Sequence, residues 1–316
     1  MTITHRSVTT NGINMHIAES GEGPLVLLLH GFPELWYSFR HQLEALAAAG
    51  YHAVAPDQRG YGATDSPYAI NEYTMLHLVG DVVGLLAALG EKDCVVVGHD
   101  WGSPVASTFG LLRPDLVRGV ALLSVPYLPR GDADVLTAIT GLLGPDNYQM
   151  YFQEPGVAET VLEANVRDSV LGTLFGLSGD APEVADSGTP MLPLPVPEGP
   201  LPGWLTADDV DYFTAEFART GFRGPLNWYR TSVLNWELLS PWHNAQLLAP
   251  SLFIGGDRDI VYHWPGFSDI VPILRDISMP NLTKSVVLEG CGHWTQQERP
   301  DEVNRLLEAF LSGLPN

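Results

Sequence analysis

The stretches "PLVLLLHG", "YHAVAPD", "KDCVVVGH" and "VRGVALLSVP" constrain this 316-residue chain more than any other feature. Each centres on an apolar run of strand length without polar alternation, the pattern of a strand buried on both faces. Helical patterns lie between them: "SFRHQLEALAAAG", ending on Gly50, then "TMLHLVGDVVGLLAALG", then a helix after Gly102. Strands alternating with helices imply right-handed crossovers and a mostly parallel sheet covered on both faces. "TTNGINMHIAES" reads as a hairpin turning at Asn11-Gly12. Near the end, "LLAPSLFIGGDRD" and "LTKSVVLEGCGHW" add two strands, and "RPDEVNRLLEAFLSGL" adds a closing helix.

Between these parts the pattern changes. Residues 130–242 carry helical spacing and no clear strand, interrupted by the Pro-rich "PEVADSGTPMLPLPVPEGPLPG" at 182–203. The expected architecture is one α/β core, residues 1–128 and 243–316, with a helical insertion at 129–242. Lys+Arg 16 against Asp+Glu 37 leaves a net charge of −21, which repels nucleic-acid backbones and anionic membranes. No run approaches the ~18 apolar residues of a membrane span, and the start has no cleavage pattern. The expectation is a soluble, cytoplasmic protein, monomeric or homodimeric. Cys94 and Cys291 are the only cysteines, and both are expected to be inert.

In open α/β sheets, ligands bind at the carboxyl ends of the strands. Polar residues expected there are His30, Asp57, Asp100, Asp259 and His293. "VVVGHDWGSPVA" sets Asp100 between Gly98 and Gly102, at a sharp strand-to-helix turn of the kind that presents a nucleophile. Alone, Asp100 is equally well a helix cap. Chain order decides: such enzymes present nucleophile, acid and histidine in that sequence, and Asp259 and His293 follow Asp100. His293 is the candidate base and Asp259 its orienting acid. Asp257 competes for that role, but Asp259 directly precedes the apolar "IV". Both residues are expected on strands flanking the one that carries Asp100. "HGFP" at 30–33 follows the first core strand, so the backbone N–H groups of Phe32 and Trp101 are the candidate oxyanion hole. Pro33 is a candidate for a cis bond. His99 should point away from substrate, and Asp57 is expected to order its loop with Arg59.

"HGFPELWYSFRHQ", "APDQRGYGATDSP", "VGHDWG", "YQMYFQEPGVAE", "GFRGPLNWYR", "GGDRDIVYHWPG" and "GHWTQQERP" span almost the whole chain. Through them it resembles the soluble epoxide hydrolases of the α/β-hydrolase superfamily. The resemblance implies an α/β-hydrolase fold with a helical cap. It also implies attack of a carboxylate on an epoxide carbon, giving an ester that water hydrolyses to a vicinal diol. A serine nucleophile would give an ether that water does not release. Two cap tyrosines would protonate the opening oxygen. The family spacing, four residues before Phe152, selects Tyr148 over Tyr151, and Tyr229 is the second. Phe32, Trp101, Phe152 and Trp294 would line the pocket of a small apolar epoxide, with water as co-substrate and no cofactor or metal. The nearest rival is a haloalkane or haloacetate dehalogenase, which uses the same Asp-His-Asp but needs halide-binding donors where the tyrosines stand. A non-catalytic hydrolase-fold receptor is the remote rival. A serine esterase is excluded, because no serine occupies the turn.

Overall fold

The structure is a computed structural model describing residues 2–183, 194 and 196–315. Its sheet contains β1 (Thr4–Thr10), β2 (Ile13–Ser20), β3 (Leu25–Leu29), β4 (His52–Pro56), β5 (Cys94–His99), β6 (Val117–Leu123), β7 (Ser251–Gly256) and β8 (Leu282–Leu288). Their order is β1-β2-β4-β3-β5-β6-β7-β8. β1 and β2 form the expected hairpin, with Asn11 at φ 44° and Gly12 at φ 80°. Such paired positive φ values match the strand twist, which is why Asn-Gly suits this turn. From β4 to β8 every pairing is parallel.

Helices α1 (Arg40–Ala48), α2 (Met75–Leu89) and α3 (Gly102–Leu112) follow β3, β4 and β5. Continuous apolar strands serve both faces. Leu27, Val96 and Leu122 pack with Leu78 and Val82 of α2 and Val105 and Phe109 of α3. Leu28, Val97 and Leu123 pack on the other side with Leu43 and Leu46 of α1.

Between β6 and β7 the described residues hold helices and no strand: α4 (Val135–Leu143), α5 (Tyr148–Tyr151), α6 (Val157–Ala164), α7 (Val166–Gly176), α8 (Ala207–Thr220), α9 (Arg223–Arg230) and α10 (Ser232–Leu238). An isolated parallel bridge joins Arg130 to His243, so this excursion leaves and returns at one place. Within the Pro-rich stretch, 184–193 and 195 lie outside the described residues. Short helices α11 (Phe267–Ile270) and α12 (Leu274–Ile277) connect β7 to β8; α13 (Thr295–Glu298) and α14 (Pro300–Ser312) close the chain. Among the described residues, no helix is long and apolar enough to cross a membrane.

Two expectations need correction. The strands leading to Asp259 and His293 do not flank β5: its neighbours are β3 and β6, and β7 and β8 lie beyond β6. The strand made just after the β5 turn takes the adjacent slot, so the later loops must reach back across it. Arg59 does not pair with Asp57. Its guanidinium forks onto Asp81 of α2, at 2.7 Å from Nε and 2.6 Å from Nη2, with both side chains 3 % accessible. Asp57 instead accepts the Trp36 and Ala63 N–H groups and meets His16 at 2.8 Å. Removing one partner of a buried pair strands the other charge. Asp81→Ala should therefore cost about 3–5 kcal/mol, read as a lowered urea midpoint.

Candidate active site

The turn after β5 is built by what cannot fit there. A Cβ on Gly98 would lie 2.1 Å from the Gly102 carbonyl oxygen, and one on Gly102 would lie 1.9 Å from that of Leu29. A Cβ on Gly31 would lie 2.2 Å from Asp100 Oδ1. Asp100 itself takes φ 49°, a left-handed conformation costing a non-glycine residue about 1–3 kcal/mol. The close approach of three glycines holds it there.

Asp100 does not cap α3 with its side chain. Oδ1 accepts the Phe32 N–H at 2.7 Å, and Oδ2 lies 3.5 Å from His293 Nε2. The Trp101 N–H makes no hydrogen bond to this carboxylate. Phe32 and Pro33 are joined by a cis peptide bond.

His293 is buried, and its Nδ1 lies 2.9 Å from Asp259 Oδ1, which also accepts the Val261 N–H at 2.9 Å. The competitor Asp257 is elsewhere, accepting the Gly290 N–H at 2.7 Å. Burial alone would lower the His293 pKa; Asp259 and Asp100 outweigh it and raise the pKa well above the ordinary value. Burial would raise the Asp100 pKa, but the hydrogen bond and charge of His293 hold it below the carboxylate norm. Both acids therefore favour the protonated form of the His293 ring that lies between them.

Tyr229 and Tyr148 meet in the helices above. Their rings are 6.1 Å apart, and Tyr229 lies 5.0 Å from Trp101 and 5.5 Å from Phe32, which both neighbour Asp100. Phe152 fills the gap, 4.9 Å from Tyr229, 5.6 Å from Tyr148 and 5.8 Å from Phe32. Burial, then the Asp100 charge, raises both phenol pKa values, so both stay protonated at neutral pH. Gln149 Nε2 donates to the Tyr148 oxygen at 3.2 Å, leaving its O–H free to donate. The two tyrosine segments are tied to each other: Gln153 Nε2 donates to the Tyr229 carbonyl, and Arg230 Nε to the Phe152 carbonyl. Arg230 also pairs with Glu159.

Trp294 is fully enclosed, its Nε1–H donating to the Leu174 carbonyl at 2.7 Å and its ring 4.8 Å from that of His293. Its ring packs edge-on against that of His293. Cys94 and Cys291 are buried, which raises both thiol pKa values and leaves them unreactive. His30 is also buried, in the loop after β3, where its Nε2 accepts the Gln58 N–H.

Sequence reasoning missed a hub beneath this site. Glu34 is wholly buried. Its Oε2 accepts the Gly31 N–H at 2.9 Å and lies 2.5 Å from His99 Nδ1, while Oε1 accepts from Gln296 at 2.8 Å. Burial would raise the Glu34 pKa, but the His99 ring holds it below the carboxylate norm. His99 Nε2 lies 2.7 Å from the His293 carbonyl, which also accepts the Ser124 hydroxyl at 2.7 Å. His99 thus points away from Asp100 and supports the loop of His293. The one available signal was an acid inside the apolar "GFPELW".

Comparison with known proteins gives the family. The alpha/beta hydrolase fold family matches residues 24–175. Epoxide hydrolase 1 of Siraitia grosvenorii is 45% identical over 313 residues, covering 98% of both chains. Epoxide hydrolase A of Mycobacterium tuberculosis is 43% identical over 321 aligned positions, again covering 98% of both. A solved epoxide hydrolase from an endophytic Streptomyces superposes with TM-score 0.91 at 48% identity, covering 98% of this chain and 96% of that one. The protein is an α/β hydrolase. Within that class the chain belongs to the epoxide hydrolase family.

The His293 pKa gives a testable expectation. Stability from a raised histidine pKa is full below the unfolded value of about 6.5 and is lost as pH rises through the folded value. Asp259→Asn removes one of the two anions. Ring-nitrogen NMR should show His293 titrating lower in that variant, and the loss of stability above about pH 6.5 should shrink.

Proposed function

We propose that this chain converts small apolar epoxides and water to vicinal diols through a covalent ester on Asp100. One observation carries the reading: a strained, unprotonated carboxylate lies between a backbone donor and His293, with two buried phenols in the helices above. Residues 129–242 act as the cap, whose ends meet at the Arg130–His243 bridge.

Oδ2, the oxygen without a backbone donor, attacks a ring carbon. The C–O bond breaks, its electron pair goes to oxygen, and Tyr148 or Tyr229 supplies the proton. Forming the ester removes the negative charge of Asp100. One of the two anions that held the proton on His293 is then gone, so its pKa falls, its proton leaves by way of solvent to restore the tyrosinate of the first step, and the ring becomes a base. Neutral His293 takes a proton from water as the water oxygen bonds to the Asp100 carboxyl carbon. The charge gathers on Oδ1, where Phe32 already donates and Trp101 joins. Collapse expels the diol oxygen, which is protonated from His293, and leaves Asp100 carrying one oxygen from water; the acid proton on that oxygen then returns to His293 and restores the starting state.

Single turnover with excess enzyme in heavy-oxygen water should put the label in the Asp100 peptide and leave the diol unlabelled. Labelled diol beside unlabelled Asp100 would mean that water attacks the epoxide directly. The tyrosines serve the first step only. With styrene oxide, Tyr148→Phe combined with Tyr229→Phe should slow ester formation by at least about 100-fold, within the range for general acids, and ester hydrolysis far less. Quenched-flow separates the steps, and equal slowing of both would contradict the donor role.

A further inference from the structure

Glu298 is buried, at 5 % exposure, and the chemistry above assigns it no task. Its carboxylate accepts three backbone N–H groups from two distant parts of the chain. Oε2 takes Gly292 and Gly179, each at 2.8 Å, and Oε1 takes Trp294 at 3.0 Å. Gly292 and Trp294 bracket His293. Gly179 lies just past α7 in the helical excursion. The two backbones meet too closely for side chains: a Cβ on Gly292 would lie 2.3 Å from Gly179 N, and one on Gly179 would lie 2.3 Å from Gly290 O. The His293 N–H donates to the Leu177 carbonyl at 2.9 Å, and the Trp294 indole to that of Leu174, across the same seam.

We propose that Glu298 is a positioning residue that locks the cap onto the loop of His293 and thereby sets the base for ester hydrolysis. This rests on the functional reading above. A carboxylate suits the post because both oxygens accept and neither donates. An amide would turn an N–H₂ group against a backbone N–H on one side. Bonds to a charged acceptor are also roughly twice as strong as neutral ones. Two of its three donors belong to the His293 loop and one to the cap. The tyrosine segments have their own ties through Arg230, Gln153 and the Trp228 indole, which donates to the Arg59 carbonyl at 3.0 Å. Loss of Glu298 should therefore loosen His293 while the proton donors stay in place.

The test is quenched-flow with intact-mass detection of the Asp100 ester, using styrene oxide. Glu298→Gln should leave ester formation within about threefold and slow hydrolysis by about 10- to 100-fold, so that ester accumulates. Gly179→Ala breaks the lock from the cap side, leaves Glu298 intact, and should show the same selective defect; it decides the matter if Glu298→Gln does not fold. Equal slowing of both steps, or unchanged kinetics with a lowered Tm, would overturn the proposal. If the unaltered enzyme forms no ester on Asp100, the functional reading fails instead.

Discussion

The site depends on one close approach. Asp100 stands at a left-handed backbone angle because Gly98 nearly touches Gly102, Gly102 nearly touches Leu29, and Gly31 lies against the carboxylate itself. These contacts place the side chain at the carboxyl edge of the sheet and bring the Phe32 N–H onto Oδ1. The burial of β3 and β5 stabilises the fold enough to offset the strain, a common arrangement where backbone geometry and reactivity coincide. Any bulk at these three positions would move the carboxylate and its donor together.

Around that point the structure uses buried carboxylates as joints. Glu34 gathers Gly31, His99 and Gln296, drawn from the loop after β3, the end of β5 and α13. Asp57 orders the loop after β4 through Trp36 and Ala63. Each replaces water with fixed donors, so loops that would otherwise be mobile inherit the rigidity of the sheet. That is how His293, two strands beyond the nearest neighbour of β5, still reaches Asp100.

Much of this was legible from residue order. The buried strands announced themselves by unbroken apolar runs, and Asp100, Asp259 and His293 by their positions after such runs. Asp259 was separable from Asp257 because it begins an apolar turn. What stayed hidden were relations between distant segments. Nothing near "DQRG" says that Arg59 will meet Asp81 of α2 rather than Asp57, since the crossing of that loop over the helix decides it. Nor does order along the chain reveal order in the sheet, so the insertion of β6 beside β5 was missed. Glu34 and Gln296 sit in loops whose local pattern is ordinary; only their enclosure makes them conspicuous. Trp294 was expected to line the pocket, and the sequence does not show that its indole N–H belongs to the Leu174 carbonyl.

On the proposed mechanism, the proton that Asp259 and Asp100 favour on His293 would act as a safety catch. A histidine neutral throughout would be free to activate water before any substrate had bound. Here the base would be blocked by the anion that must first be consumed. Only a molecule able to alkylate Asp100 would remove the block, and the bond it formed would be the ester then hydrolysed. Selectivity would be exercised twice, once by the residues around Asp100 and once by the demand for an electrophile reactive enough to arm its own hydrolysis.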